Sequence, residues 1–308
     1  MKFNLMYRKL KKQILQSLCS FRMTSTVSCH SERSEESAFN LKKILFCILV
    51  FCSGSVFADE TAISGKNIAS KWENAIIIVK ITIKQKMILK GKELYNSEEK
   101  LEINGTVLDS TGLVVSSLQE TDPSAFIENM MQGMPDDDKP KHESEITDIK
   151  IRFSKNNEIP AKIVLRDKDI DLAFIRPINK IKENVQYINL KDSVQPEILD
   201  RIICLDRLGK IANEVTYIGT GRIQAIVNKP RTFYIPDENV TSGLGIPVFS
   251  QEKEKIIGIM LLRSLNNQDN TGRSFFSRKS AATAIPIIMP TSEIAGVSSQ
   301  VPAYEEKQ

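Results

Sequence analysis

Short runs of apolar, often β-branched residues recur between residues 75 and 287, and they constrain the fold more than any other sequence feature. Several runs alternate apolar with polar residues, as a half-buried strand does. Glycine, asparagine and aspartate separate them and are typical of turns. The pattern predicts an all-β domain, either a sandwich or a pair of barrels, with a few short helices. The predicted strands are 75–83, 101–109, 113–117, 149–153, 161–165, 171–175, 201–205, 218–228, 232–235, 248–249, 256–262 and 282–287.

The net charge of +4 is concentrated at the N-terminus. Residues 1–58 contain 9 Lys/Arg and 3 Asp/Glu, which leaves 33 basic and 35 acidic residues in 59–308, a net charge of −2. This balance excludes the basic surface on which nucleic-acid binding depends. Four of the five cysteines also precede residue 59, so the rest of the chain has only Cys204 and no disulfide framework. We expect Cys204, in an apolar run, to be buried as a small hydrophobic residue.

The N-terminal 58 residues have the pattern of an export leader. Lys42 and Lys43 precede a short apolar run over 44–53, and small residues flank a cleavage position after Ala58. The run is shorter than the 18 or so residues that a membrane span needs. The pattern predicts a signal peptide and a periplasmic or secreted product. An uncleaved anchor or a lipoprotein acylated at Cys52 is the alternative, and residues 1–40 are interpreted as a mis-assigned gene start.

Four segments, in order, resemble the bacterial HtrA/Deg branch of the trypsin-like serine proteases. Residues 105–117 are similar to the family's Gly-x-Val-Ile-Asp-x-x-Gly-x-Ile-Val strand pair, and 149–175 contain a run like Asp-Leu-Ala-x-Leu. Residues 242–260 resemble the nucleophile loop and the strand after it, and 283–286 resemble the closing Ala-Ile-Pro. The resemblance implies two six-stranded β-barrels with an active site between them, and no metal or other cofactor.

The resemblance also implies a domain organisation. A leader over 1–58 precedes a trypsin-like domain over 59–295 and a flexible tail over 296–308. Barrel one is expected over about 75–180 and barrel two over about 190–290, with a loop insertion over 120–146. Family members usually continue into a peptide-binding PDZ domain, which this chain is expected to lack.

Serine-protease chemistry needs a nucleophile, a base that takes its proton and an acid that orients the base. The resemblance places the acid at Asp171, the histidine position at Gln119 and the serine position at Leu244. Glutamine cannot shuttle a proton as imidazole does, and leucine has no nucleophilic atom. The oxyanion loop would contain Ser242, Gly243 and Gly245. These replacements favour a pseudoprotease.

Two residues leave an active enzyme open as an alternative. His142 is the one histidine after residue 58 and lies 29 residues before Asp171. Ser242 would become the nucleophile if two residues were inserted after it. The alternative is a divergent endopeptidase that uses Ser242, His142 and Asp171. The competing interpretation of His142 is an exposed loop residue, and that of the acidic run 136–138 is a solvated segment without a metal.

The partner predicted for a pseudoprotease is a peptide or protein in the cell envelope. Leu244 and Ile246 are expected to make the inter-barrel cleft apolar, as a binding groove is. A purely structural envelope subunit is a third hypothesis. Homo-oligomerisation stays open, since HtrA proteins trimerise through aromatic residues near the mature N-terminus and this chain has only Trp72 there. Membrane contact is expected only through an uncleaved leader.

Overall fold

The computed structural model belongs to an all-β protein. It describes residues 59–304 except 123, 125–126, 128–130, 132–134, 136–138, 155–156, 182–183, 238–239, 241–242 and 265–283. These residues belong to the compact unit Ala58–Gln308, which is distinct from the unit Met1–Phe57. The predicted leader, Ser242 and the acidic run 136–138 therefore lie outside the described residues.

Six antiparallel strands close a first barrel in the order β1-β2-β3-β6-β5-β4. The sequence of β1 suits such a barrel. Val79, Ile81 and Ile83 are buried, whereas Lys84 is exposed. Successive side chains of a strand point to opposite faces, so this alternation fills the barrel on one face only. The six strands are β1 Ile76–Leu89, β2 Lys92–Val107, β3 Val114–Ser117, β4 Lys141–Ser154, β5 Asn157–Asp167 and β6 Leu172–Pro177.

A second closed barrel follows, with the strand order β10-β11-β12-β9-β8-β7. Its strand β7 contains Cys204, which is fully buried, as expected for a small apolar residue. Two closed antiparallel barrels confirm the predicted all-β double barrel of the trypsin-like type. The strands are β7 Arg201–Arg207, β8 Thr216–Val227, β9 Phe233–Pro236, β10 Pro247–Ser250, β11 Ile256–Ser264 and β12 Ala284–Pro290.

Helices are short and lie at the margins of the barrels: α1 Glu60–Trp72, α2 Leu118–Thr121 and α3 Thr291–Ser298. Helix α1 begins after Asp59, whose carboxylate accepts the Thr61 N–H at 3.1 Å and so caps a free backbone donor. Its Ile68 is buried in the core. Within the described part of the chain, no helix combines the length and the apolar character needed to cross a bilayer.

The two barrels share one continuous apolar core. The largest cluster of buried side chains includes Leu172 and Phe174 from β6 together with Leu205 and Phe249 from barrel two. Each barrel also has a cluster of its own. Apolar burial contributes about 25 cal/mol for each Å² removed from water, so this shared core holds the barrels together. We call the interface between the two barrels the seam, and the shared core positions the residues that lie there.

The outer parts of β1, β2 and β4 continue past barrel one as a three-stranded sheet, which we call the arm (residues 84–100 and 141–149). β3 pairs with β2 only at Thr106 and Val107, and β5 meets β4 only from Lys150 onward. The strands β1 and β2 are joined at Lys90 and Gly91, whose φ values of 53° and 76° suit a two-residue type I′ turn.

Alternating charges run across one face of the arm. Lys84 of the central strand β1 is paired in register with Glu98 on one side and Glu145 on the other. Lys86 lies 3.2 Å from Glu93 and opposite Glu143. Opposite charges on directly opposed residues stabilise cross-strand pairs.

Two segments differ from the organisation expected from sequence. The expected insertion over 120–146 ends earlier, because β4 begins at Lys141 and pairs with β1 from there. The expected loose tail over 296–308 is ordered as far as the structure describes it. Ser298 ends α3, and the Pro302 carbonyl accepts a hydrogen bond from the guanidinium of Arg176, a buried residue of β6. The polar and acidic composition of 120–145 suggested a loop, whereas contacts with distant segments order both places.

Candidate functional site

Asp171 occupies the turn between β5 and β6 and has a positive φ of 57°. One carboxylate oxygen accepts the Gln119 N–H at 2.7 Å. The other accepts the Ser117 hydroxyl at 2.7 Å and the Leu262 N–H at 3.1 Å. The Asp171 carbonyl also accepts the Leu118 N–H at 3.0 Å. The predicted acid position is therefore enclosed by donors from β3, α2 and β11.

The single-turn helix α2 brings Gln119 to this carboxylate. Ser117 ends β3 and caps α2, with its hydroxyl oxygen 3.4 Å from the Glu120 N–H. The same hydroxyl donates to Asp171, so one serine serves both the helix start and the acid. The predicted base and acid positions, Gln119 and Asp171, are thus brought together, although the contact is made by the Gln119 backbone.

His142 lies elsewhere in the fold. It is on β4, paired with Met87 in the arm. Met87 is eleven residues along β1 from Ile76, which pairs with Thr106 at the end of the strand nearer the site. At about 3.3 Å a residue this is about 35 Å of strand. The structure separates His142 from Asp171, and both of its ring nitrogens are buried without a hydrogen-bond partner among the described residues.

The segment that resembles a nucleophile loop crosses the seam between the barrels. Gly245 has a φ of 72°, and its N–H donates to the Met260 carbonyl at 2.8 Å. Its own carbonyl accepts the hydroxyl of Thr106, on β2 of barrel one, at 2.8 Å. A Cβ at position 245 would lie 2.6 Å from the Asn104 carbonyl oxygen. A glycine is required here because the backbone has positive φ and lies directly against barrel one.

Leu244 and Ile246 do not both line the cleft. Ile246 is fully buried among the side chains of barrel two, which corrects the expectation that it makes the cleft apolar. The Ile246 side chain points into barrel two because it precedes the inward-facing Val248 by two residues, and alternate residues of a strand face the same side. Leu244 is partly buried and packs against the same cluster. The predicted nucleophile position therefore carries a side chain that contributes to the barrel.

Asp206, at the end of β7, is a site residue that sequence reasoning missed. Its carboxylate accepts the side-chain amide of Asn104 and the Gly243 N–H, both at 2.7 Å. It also accepts the Arg207 N–H at 2.6 Å, and only 5% of the residue is exposed. Asp206 thus ties β2 of barrel one to the glycine loop. A charged residue directly after the apolar run 201–205 was the available signal.

Glu120 is the second residue that sequence reasoning missed. Desolvation by burial, followed by the negative charges of Asp171 and Asp206, raises its pKa from 4.5 to about 7. The pKa of Asp171 is also raised by burial, against the opposing effect of its hydrogen bonds from Ser117, Gln119 and Leu262. A carboxyl group that titrates near neutral pH can exchange a proton there, whereas Asp171 is committed to structural hydrogen bonds.

Hydrolysis by the serine-protease route needs three groups in contact, and the described residues supply one of them. Asp171 occupies the acid position, while Gln119 and Leu244 offer neither a proton acceptor of the imidazole kind nor a nucleophile. Among residues 59–304 as far as described, no group of three or more His, Cys, Asp or Glu side chains is arranged to hold a metal.

Comparison of the chain with models of protein families and with curated proteins gives no match.

Proposed function

We propose that this chain is a degenerate, HtrA-like pseudoprotease of the cell envelope that binds a peptide or protein segment in the seam between its barrels and does not cleave it. The observation that carries the proposal is the surroundings of Asp171. Its carboxylate is occupied by Ser117, Gln119 and Leu262, and the residue beside it presents a backbone amide where an enzyme needs an imidazole.

Retention of the acid has a structural explanation. Asp171 accepts one bond from α2 beside barrel one and one from β11 of barrel two. Removing a hydrogen-bonded buried charge leaves its donors unsatisfied, at a cost of about 1–3 kcal/mol for each. The side chains at positions 119 and 244 make no comparable bond in the described part of the fold. Catalysis can be lost there while folding is preserved.

The sequence of the leader is the support for an envelope location. The apolar run over 44–53 after two lysines, with small residues before position 59, is typical of a signal peptide. The domain begins immediately afterwards, with helix α1 at Glu60. A binding protein of this kind would meet unfolded or extended segments of other exported proteins.

The test is cleavage of an unfolded casein-type substrate and labelling by a serine-directed fluorophosphonate. We expect the parent chain to show neither. A Ser242→Ala variant serves as the matched control, because Ser242 is the residue on which the active alternative depends. Cleavage or labelling that Ser242→Ala abolishes would overturn the proposal and make the chain a divergent endopeptidase.

Binding is measured separately from cleavage. Fluorescence anisotropy of a labelled unfolded polypeptide should rise on addition of the chain, and a Glu120→Lys variant should change the affinity because it places a positive charge beside Asp171 and Asp206. Glu252→Lys, in the exposed turn after β10, is the control. No binding, together with stable co-purification with one large partner, would instead support a structural envelope subunit.

A further inference from the structure

The tip of the arm exposes apolar side chains far from either barrel. We use "tip" for residues 87–95, which include the turn between β1 and β2. Leu94 is 52% exposed and Tyr95 is 42% exposed. Met87, Ile88 and Leu89 are half-buried. Apolar side chains grouped on one exposed surface often mark a site of contact with a protein or a membrane.

The distance of the tip from the core shows that these residues do not serve the barrel. The last buried apolar residue of β1 is Ile83, and Leu89 lies six residues farther along the strand. At about 3.3 Å a residue, the tip stands about 20 Å beyond the core. The register shifts between Met87 and Ile88, so Leu94 is an extra residue of β2 without a paired residue on β1. Such a bulge changes the direction of the side chain of the extra residue.

The charges at the tip are mostly positive. The tip contains Lys90, Lys92 and Glu93, a net charge of +1. Glu93 is paired with Lys86 at 3.2 Å, and Lys92 is exposed in the turn region. The acidic residues Glu98 and Glu99 begin farther back along β2. Lys90 and Lys92 therefore lie at the apolar end, Glu93 beside them is paired with Lys86, and further negative charge lies behind.

Tyr95 has the chemistry of a residue at a boundary between water and lipid. Its hydroxyl donates to Glu99 at 2.7 Å, so the polar end of the ring lies on the barrel side of the tip. A tyrosine whose hydroxyl is held in water while its ring contacts apolar surface is typical of membrane interfaces. Lysines extend their charged ends to headgroups while their methylenes stay with apolar surface.

We propose that the tip of the arm inserts shallowly into the interface of a bilayer that contains anionic lipids. Leu94, Tyr95 and Leu89 would enter between the headgroups, and Lys90 and Lys92 would meet the lipid phosphates. Charge complementarity selects the anionic lipid, since each lysine near such a surface strengthens partitioning about fivefold. The acidic residues behind the tip limit the depth of insertion. This contact is independent of the leader and of the proposed seam function.

The experiment uses a local reporter in the full chain, so that a leader bound to the same vesicle does not decide the result. Leu94→Trp places an indole at the tip, and Ile198→Trp places one at a site that is 58% exposed in the segment before β7. The signal of the parent chain, which has Trp72 alone, is subtracted. Vesicles contain phosphatidylcholine with brominated acyl chains, with or without phosphatidylglycerol.

We expect a blue shift and bromine quenching of the tryptophan at 94 in anionic vesicles and none at 198. Adding Lys90→Gln and Lys92→Gln should weaken the partitioning of the tip about 25-fold. Unchanged far-UV circular dichroism shows that these variants fold.

Absence of quenching at 94, equal quenching at 94 and 198, or equal quenching in neutral and anionic vesicles would overturn the proposal. So would a fluorescence change at 94 that depends on protein concentration without vesicles, because it would identify the tip as a contact between copies of the chain.

Discussion

The carboxylate of Asp171 accepts the backbone N–H of Leu262 at 3.1 Å, and this bond joins a turn of barrel one to strand β11 of barrel two. The same carboxylate holds α2 through Gln119. Asp206 makes the complementary link, from β7 of barrel two to Asn104 of barrel one. Two buried aspartates therefore connect the barrels at the candidate site.

Asp171→Ala should destabilise the fold by about 3 kcal/mol, because it leaves buried donors of Ser117, Gln119 and Leu262 without an acceptor. Asp169→Ala, an exposed carboxylate in the same turn, should change stability by less than about 0.5 kcal/mol. Urea unfolding of both variants measures the difference. Equal, small effects would show that the Asp171 bonds do not hold the seam.

Glu120 should make stability fall as pH rises. Its folded-state pKa of about 7 exceeds the ordinary 4.5, so the folded chain holds the proton more tightly than the unfolded chain does. The resulting stabilisation is complete below about 4.5 and is lost as the pH rises through about 7. Allowing for partial exposure of Glu120, about 2 kcal/mol should disappear across this window.

The measurement is the free energy of unfolding of the parent and of Glu120→Gln at several pH values. The difference between the two should change across the window, whereas Glu252→Gln, in an exposed turn, should give a curve parallel to the parent. Parallel curves for Glu120→Gln would contradict the assigned pKa.

Gly245 and Gly91 have nearly the same backbone conformation, with φ values of 72° and 76°, but different surroundings. A Cβ at 91 meets nothing within 4 Å, whereas one at 245 lies 2.6 Å from the Asn104 carbonyl oxygen. Gly91→Ala should cost about 1 kcal/mol for the left-handed conformation alone. Gly245→Ala should cost about 3 kcal/mol, because backbone must also move. Thermal unfolding of the pair separates the conformational cost from the steric cost.

Leu244→Ser places a hydroxyl at the predicted nucleophile position and should still give no cleavage, since Gln119 supplies no base. It should also destabilise barrel two by about 1–2 kcal/mol, because Leu244 packs against the core cluster. Leu199→Ser, at a residue that is 56% exposed, should be close to neutral. Cleavage by Leu244→Ser that a further Gln119→Ala change abolishes would mean that the glutamine activates the serine.

Much of the fold was predictable because strand alternation is local. From Val79 to Lys84, apolar and polar residues of β1 alternate, and that pattern alone predicts a half-buried strand. The proximity of Gln119 and Asp171 followed from the family resemblance. The position of His142 could not be predicted in this way. Its charged neighbours suggested a loop, whereas the pairing with β1 makes the segment a strand.

The rest of the site depends on contacts between distant segments. Ile246 is buried because β10 continues its inward alternation back into the loop, which glycine and proline concealed in the sequence. Asp206 finds its partners 102 residues away at Asn104 and 37 residues away at Gly243. The raised pKa of Glu120 arises first from burial and then from the charges of two aspartates on other elements. Such relationships have no local pattern from which to predict them.

The bonds of Asp171 also bear on how a site of this kind would change over generations. Replacing the side chain at 119 or 244 removes chemistry, whereas replacing Asp171 removes a link between the barrels. Selection for a folded product alone would then keep the aspartate and tolerate drift at the other two positions. In such a lineage the aspartate would persist after the catalytic activity is lost, and its presence in a sequence would indicate a role in the fold.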